Sequence, residues 1–255
     1  MALTDRPTSG APARARDWYR GVHAEFCDVR EPWEHGTVVR ATRYRDYYDL
    51  NAVRVEEDPG MSADELVAFA DEALEGLAHR RIDFEDAGAA EPLRGRFEEL
   101  GWMTERLVWM RHEAAPPPGP DIAVDEVPYD EVYDLRVGWL QEDFPDHDMR
   151  DYINEALEVA QRRRAQVLAV REGGAPVGFA QLEHHDGSAE IAQAYVHPDH
   201  RGRGLGTAIT RAAIHAARDA NDLWIVADDE GRPTELYKRL GFEPAWTAVE
   251  NTRLP

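Results

Sequence analysis

Y-V-H-P-D-H-R-G-R-G-L-G, Tyr195 to Gly206, carries more structural information than any other stretch of the chain. The residues before it alternate as a strand does, and those after it place Leu205, Ala208, Ile209, Ala212 and Ala216 on one helical face. Between them, Gly202, Gly204 and Gly206 permit backbone conformations closed to other residues, so that successive N–H groups can converge on one anion at the helix N-terminus. Arg201 and Arg203 add positive charge. The loop has neither the Lys-Ser/Thr of a nucleotide P-loop nor the glycine order of a dinucleotide fold, whose loop follows the first strand of a domain.

Working outward, Asp186-Gly187 between two alternating runs predicts a hairpin of Val177–His185 with Ser188–Val196. A two-residue turn pairs His185 with Ser188, which sets Glu183 opposite Glu190. Upstream lie an expected strand at Ile122–Glu126, helices over Tyr129–Gln141 and Met149–Arg163, and a strand at Gln166–Arg171. Downstream follow a helix (Leu205–Ala220), a strand (Leu223–Ala227), a helix (Pro233–Leu240) and a last strand. Ala114 to Pro120, A-A-P-P-P-G-P, reads as a spacer between two lobes. In the first lobe, strand Asn51–Glu56, helix Ala63–Leu77, strand Arg81–Phe84, helix Glu91–Leu100 and strand Glu105–Arg111 repeat the last part of this order. F-E-E-L-G-W at Phe97–Trp102 stands where the second lobe has Y-K-R-L-G-F at Tyr237–Phe242. The pattern reads as a duplicated module, or as two α/β lobes of similar element order.

The 255 residues suffice for two lobes with cores of their own. With 29 Lys and Arg against 50 Asp and Glu, the net charge of −21 disfavours nucleic acid and anionic membrane as partners and favours cations. No apolar run could span a bilayer, and the single cysteine, Cys27, has no partner, so a cytoplasmic protein is expected. Nothing near Cys27 indicates an activated thiolate. Met1 to Arg16 lacks an apolar signal-peptide core and is expected, with the rest of residues 1–35, to form a partly mobile tail.

The loop Arg201-x-x-Gly204-x-Gly206, after V-H-P on a strand and before L-Y-x-x-L-G-F, resembles the GCN5-related N-acetyltransferase (GNAT) superfamily over nearly all of residues 121–255. The resemblance implies an α/β fold of the tandem GNAT type, with a central mixed β-sheet flanked by helices in each lobe. Its parts would be a degenerate GNAT-like domain (36–113), the linker (114–120) and a catalytic domain (121–255). It also implies acetyl-CoA as co-substrate, with Arg201, Gly202, Arg203, Gly204, Leu205, Gly206 and Thr207 cradling the pyrophosphate. Backbone groups of Ala194, Tyr195 and Val196 would pair with the pantetheine arm. Tyr237 occupies the position of the family's acid. Glu190 stands eleven residues before Arg201, where histone-acetylating members carry their base. Like charges across a ladder raise one pKa, so the Glu183–Glu190 pair either supplies that base or is a solvated pair at the sheet end.

Where the family often has Asn before the tyrosine, this chain has Glu230, so a pantetheine contact from that side chain is not implied. Asp228 and Asp229 read as an acidic turn or as groups facing the amine. His184, His185, His197 and His200 lack a completing carboxylate or thiol, and no metal is assigned. Glu142, Asp143, Phe144 and Asp146 lie between the two helices of the second lobe, a region that walls the acceptor site in the family. They would attract a cationic small-molecule amine such as a polyamine, an aminoglycoside or an amino terminus, or they form a solvated loop. In the first lobe, Val53–Leu66 has acids where the second has glycines and arginines, which would repel pyrophosphate. The expected reaction is direct attack of a primary amine on the thioester. A noncatalytic acyl-CoA-binding scaffold is the alternative, as are alcohol acylation and a longer acyl group; association as a homodimer is compatible with either.

Overall fold

The computed structural model describes residues 10–229, 231 and 233–255. Its helices are α1 (Ala11–Phe26), α2 (Ala63–Ala73), α3 (Ala87–Ala90), α4 (Arg94–Glu99), α5 (Tyr133–Asp143), α6 (Arg150–Arg162), α7 (Leu205–Ala216) and α8 (Pro233–Arg239). Its strands are β1 (Val29–Trp33), β2 (Gly36–Arg40), β3 (Ala52–Val55), β4 (Arg80–Phe84), β5 (Met103–His112), β6 (Asp125–Val127), β7 (Gln166–Glu172), β8 (Ala175–His185), β9 (Ser188–Val196), β10 (Leu223–Asp228) and β11 (Phe242–Arg253).

These strands form one mixed sheet in the order β1-β2-β3-β4-β11-β5-β10-β9-β8-β7-β6. The two halves of the chain thus share one continuous sheet. Each half contains a parallel pair, β3 with β4 and β9 with β10, and each sends its last strand into the other half. Strand β5 lies between β10 and β11, while β11 lies between β4 and β5, all antiparallel. The proline-rich stretch 114–120 does connect the halves, but the backbone hydrogen bonds run straight across the seam. Helix α7 packs on one face through Ala208, Ile209 and Ala213 against Ala189, Ile191 and Phe242, in a core that also takes Val108 and Met110 from β5. The first half buries Leu66, Phe84, Phe97 and Trp102, with Val249 of β11 among them.

Helix α1 replaces the tail expected over residues 1–35; Met1 to Ser9 lie outside the described residues. Pro12 stands in the first turn, where its missing N–H costs nothing. Ala15, Trp18, Val22 and Phe26 recur at helical spacing and form the buried stripe. The helix lies over the seam, where Trp18 and Tyr19 pack with Trp109, Trp224 and Trp246. It is fixed to both halves. Arg14 Nε donates to Asp222 at 2.8 Å and Trp18 Nε1 to Glu190 at 2.5 Å, while Tyr19 Oη donates to Asp83 at 2.6 Å and Arg20 Nε to Glu85 at 2.8 Å.

Without β5, the edges of β10 and β11 that face the seam lose their partners. A fragment of residues 121–255 is therefore expected to aggregate or to dimerise by exchanging strands. Size-exclusion chromatography with circular dichroism checks this, and a folded monomeric fragment would contradict the shared-sheet argument.

Candidate functional site

The strands β9 and β10 are paired only from Ala189–Leu223 to Ile191–Ile225. Beyond Ile191 they diverge, and a cavity of about 470 Å³ opens on the α7 side of the gap. Ala194, Tyr195 and Val196 form its strand wall, and Arg201, Gly202, Gly204, Leu205, Gly206 and Thr207 its floor. Gly202 and Gly204 have φ of +78° and +81°, the left-handed region that L side chains avoid. Gly204 is the N-cap of α7. The first amides of that helix have no acceptors within it and carry its positive dipole end, so an anion in the cavity meets a ring of donors.

The arginines behave differently from each other. Arg201 lies beside the cavity, where Nε donates to Val196 O at 2.8 Å and Nη2 to Glu142 Oε2 at 3.0 Å. Tyr195 Oη donates to the other Glu142 oxygen, and these hydrogen bonds, from Tyr195 first, hold the Glu142 carboxyl below its usual range. The Arg203 side chain instead turns to Glu172 at 3.0 Å, away from the cavity. Arg239 on α8 lines it and forms no ion pair among the described residues. Arg239 stands two residues after Tyr237, and nothing in Y-K-R-L-G-F marks it in sequence.

Tyr237 sits on α8 in the same wall, 6% exposed. Burial pushes its phenol up to about 12, and its hydroxyl has no hydrogen-bond partner among the described residues. It therefore keeps its proton at neutral pH and has it free to donate.

The cradle, the strand divergence and the phenol meet in the second half of the chain. Residues 129–242 match the sequence profile of the acetyltransferase (GNAT) family. The second half of the chain thus carries the sequence pattern of that family. The chain is 29% identical over 231 residues to a mycothiol acetyltransferase of Thermobifida fusca, covering 75% of this chain and 68% of that one. An uncharacterized N-acetyltransferase of Methanocaldococcus jannaschii is 41% identical over 82 residues, 28% of this chain and 35% of that protein's length. The fold is shared with a GCN5-related N-acetyltransferase from Kribbella flavida (TM-score 0.60, 19% identity, 96% of each chain covered). It is also shared with a functionally unknown conserved protein from Staphylococcus epidermidis (TM-score 0.63, 16% identity, 88% of this chain and 92% of that one).

Glu183 does face Glu190 across the hairpin. The two carboxylates divide the work. Glu183 is buried, receives Arg163 Nη1, and accepts from Gln181 Nε2 at 2.5 Å. Glu190 is pushed up to about 7, by burial first and then by Glu183, against the opposing pull of the Trp18 hydrogen bond and Arg163. Neither lines the donor cavity. One residue on, the register slips, so that Leu182 pairs with Ile191 but Gln181 with Gln193. The extra residue, Ala192, is a β-bulge that turns Gln193 and Tyr195 to the face of Glu190 and leaves Ala194 and Val196 toward α7.

The expected acceptor residues separate. Glu142 is bound to Arg201 and Tyr195 as described, Asp146 lies in a cleft with Met149 and Arg150, and Asp143 and Phe144 line a cavity on the α5–α6 face. Asp229 is paired with Arg106 of the first half at 2.8 Å, and Glu230 lies outside the described residues. His184 and His185 flank the hairpin turn, at the opposite end of β9 from His197 and His200. Cys27 is buried with its thiol pushed up to about 12, the reverse of an activated nucleophile.

Two outcomes follow. Gly204→Val places a β-branched residue in the left-handed region, at about 1–2 kcal/mol, and displaces the amides. Acetyl-CoA affinity measured by calorimetry is expected to fall about tenfold or more. For Glu190, the unfolded group ionises near its ordinary value and the folded group near 7, so its contribution to stability declines as pH rises between the two. Glu190→Gln removes that decline, and urea unfolding should show the variant gaining on the order of 2 kcal/mol relative to wild type from about pH 5 to about pH 8. A pH-independent difference would place the raised pKa elsewhere.

Proposed function

We propose that this protein is an acetyl-CoA-dependent N-acetyltransferase whose acceptor is a primary amine of a small cationic molecule. One observation carries the reading: a hydroxyl kept protonated and unpartnered, that of Tyr237, shares a cavity with an amide-lined helix N-terminus. A scaffold that only held a coenzyme would need the second feature and not the first. The acidic surface supports a cationic small molecule over nucleic acid.

In this reading the amides from Gly202 to Thr207 grip the diphosphate, with Arg201 and Arg239 as flanking cations. The backbone of β9 beyond the bulge, which β10 no longer occupies, aligns the pantetheine arm. The thioester supplies the acyl group. The amine loses a proton, its nitrogen bonds to the carbonyl carbon, the C–S bond breaks, and Tyr237 protonates the departing sulfur. Glu190, with its carboxyl pushed up to about 7, takes the amine's proton.

The first half supports a structural role. Its parallel pair β3–β4 precedes and follows α2 as β9–β10 frame α7. Yet Ser62 and Glu65 close the N-terminus of α2 with a capping box, Glu65 N donating to Ser62 Oγ and Ser62 N to Glu65 Oε2 at 2.8 Å. Amides so occupied, beside carboxylates, offer nothing to a phosphate. We read this half as a degenerate copy that completes the sheet.

Tyr237→Phe keeps the ring and removes the proton. Release of CoA thiol is expected to slow by about 10²-fold with acetyl-CoA affinity retained. An unchanged rate would take Tyr237 out of the mechanism.

A further inference from the structure

Glu190 stands in the last paired stretch of β9, opposite Trp224, just before β9 and β10 part. Its neighbours Ala189 and Ile191 pack toward α7, so its carboxylate emerges on the other face of the sheet, under α1. There Trp18 Nε1 donates to Glu190 Oε2 at 2.5 Å, a bond between residues 172 apart in the chain. Glu190 Oε1 has no hydrogen-bond partner among the described residues. The indole is itself held from several sides. It packs with Trp109, Trp224 and Trp246, the Arg163 guanidinium lies over its ring at 5.4 Å, and His185 meets it in a T-shaped contact at 5.9 Å. Arg14 and Arg20 on the same helix anchor it to Asp222 and Glu85.

The charged groups around Glu190 are committed elsewhere. Glu183 of β8, directly opposite, has both oxygens occupied, one by Arg163 Nη1 and the other by Gln181 Nε2 at 2.5 Å. The Gln181 amide is oriented in turn, because its Oε1 accepts from Tyr129 Oη and from Arg136 Nη2, the latter at 3.0 Å. Arg163, at the end of α6, serves Glu183 and also Glu25 of α1 at 3.5 Å, and Glu25 meets His185 Nδ1 at 3.3 Å. Asp49 and Tyr47 face the pair from the turn after β2; Asp49 is bound to Arg81 at 2.8 Å, and burial first pushes the Tyr47 phenol up. An indole N–H is a donor only, so it supports a carboxylate while neither taking nor losing a proton. Its bond to a carboxylate oxygen strengthens when the carboxyl ionises, and here it opposes the burial that pushes Glu190 up.

We propose that Trp18 is a positioning residue for acetyl transfer: its indole holds Glu190 Oε2 and so presents Oε1 as the oxygen that takes the amine's proton. The proposal rests on the reading of Glu190 as the base and deepens it. Helix α1 then does more than clasp the two halves. It sets the pH above which the reaction runs, although none of its residues lines the donor cavity.

The test uses the full chain labelled for NMR at glutamate carboxyls and indole nitrogens, with acetyl-CoA as donor and spermidine as acceptor. Glu190→Gln assigns the Glu190 signal, and Trp18→Phe, which keeps an aromatic ring in the cluster, assigns the indole. In wild type the two signals are expected to titrate together with a midpoint at about 7, and the indole should stop titrating in Glu190→Gln. Trp18→Phe is expected to move the Glu190 midpoint up by about one pH unit. The acid limb of kcat/KM should move to higher pH by the same amount, with acetyl-CoA affinity retained. A helix that only supported the fold would lower the thermal midpoint or the plateau rate and leave both midpoints in place. An indole indifferent to pH in wild type, or a Glu190 midpoint unmoved in Trp18→Phe, overturns the proposal. If Trp18→Phe does not fold, the wild-type indole titration and its loss in Glu190→Gln decide; if spermidine is not acetylated, the carboxyl titrations decide. An acid limb that persists in Glu190→Gln removes Glu190 as the base and this proposal with it. A limb lost in Glu190→Gln yet unmoved in Trp18→Phe keeps the base and overturns the positioning role alone.

Discussion

The reciprocal insertion of β5 and β11 is the constraint on which the molecule depends. Backbone N–H and C=O groups in a sheet interior must find partners, and those of β10 find them in a strand made before the proline-rich connection. A shared sheet also shares its cores: Val108 and Met110 pack under α7, and Val249 packs in the first half. Helix α1 then lies over this seam with indole, phenol and guanidinium contacts to each side. The donor cavity sits where β10 leaves β9, so its position rests on the strand that the first half supplies.

In the proposed reading, a chain of net charge −21 would bind an anion through its backbone more than through its side chains. Glu142 offsets Arg201, and Glu172 offsets Arg203. What remains uncompensated is the helix N-terminus and Arg239. Amides positioned by glycines at positive φ present fixed partial charges that neighbouring carboxylates cannot neutralise by moving closer. Such partial charges would let a phosphate site tolerate an acidic surround.

Local patterns were legible and long-range pairings were not. The cradle, the hairpin with Glu183 opposite Glu190, Tyr237 and most element boundaries follow from turn chemistry and periodicity over a dozen residues. The bulge at Ala192 does not, since nothing in A-E-I-A-Q-A announces an unpaired residue, yet it decides which side chains of β9 face α7. The stripe Ala15, Trp18, Val22, Phe26 could have revealed α1, but its intervening arginines and proline resemble a tail. The strand exchange left no local trace at all: A-A-P-P-P-G-P reads as a border between domains and is in fact a loop beside a continuous sheet.

Strand order also has a temporal meaning. During synthesis β11 emerges after every strand it joins, although it occupies the middle of the sheet. Until then β4 and β5 have open edges at the seam, and the first half cannot complete its layer as it leaves the ribosome, contrary to the usual domain-by-domain course. The polypeptide must hold an unfinished surface for most of its translation, with contacts of long sequence separation formed last. The acidic composition, which keeps like molecules apart, is a fitting companion to that delay.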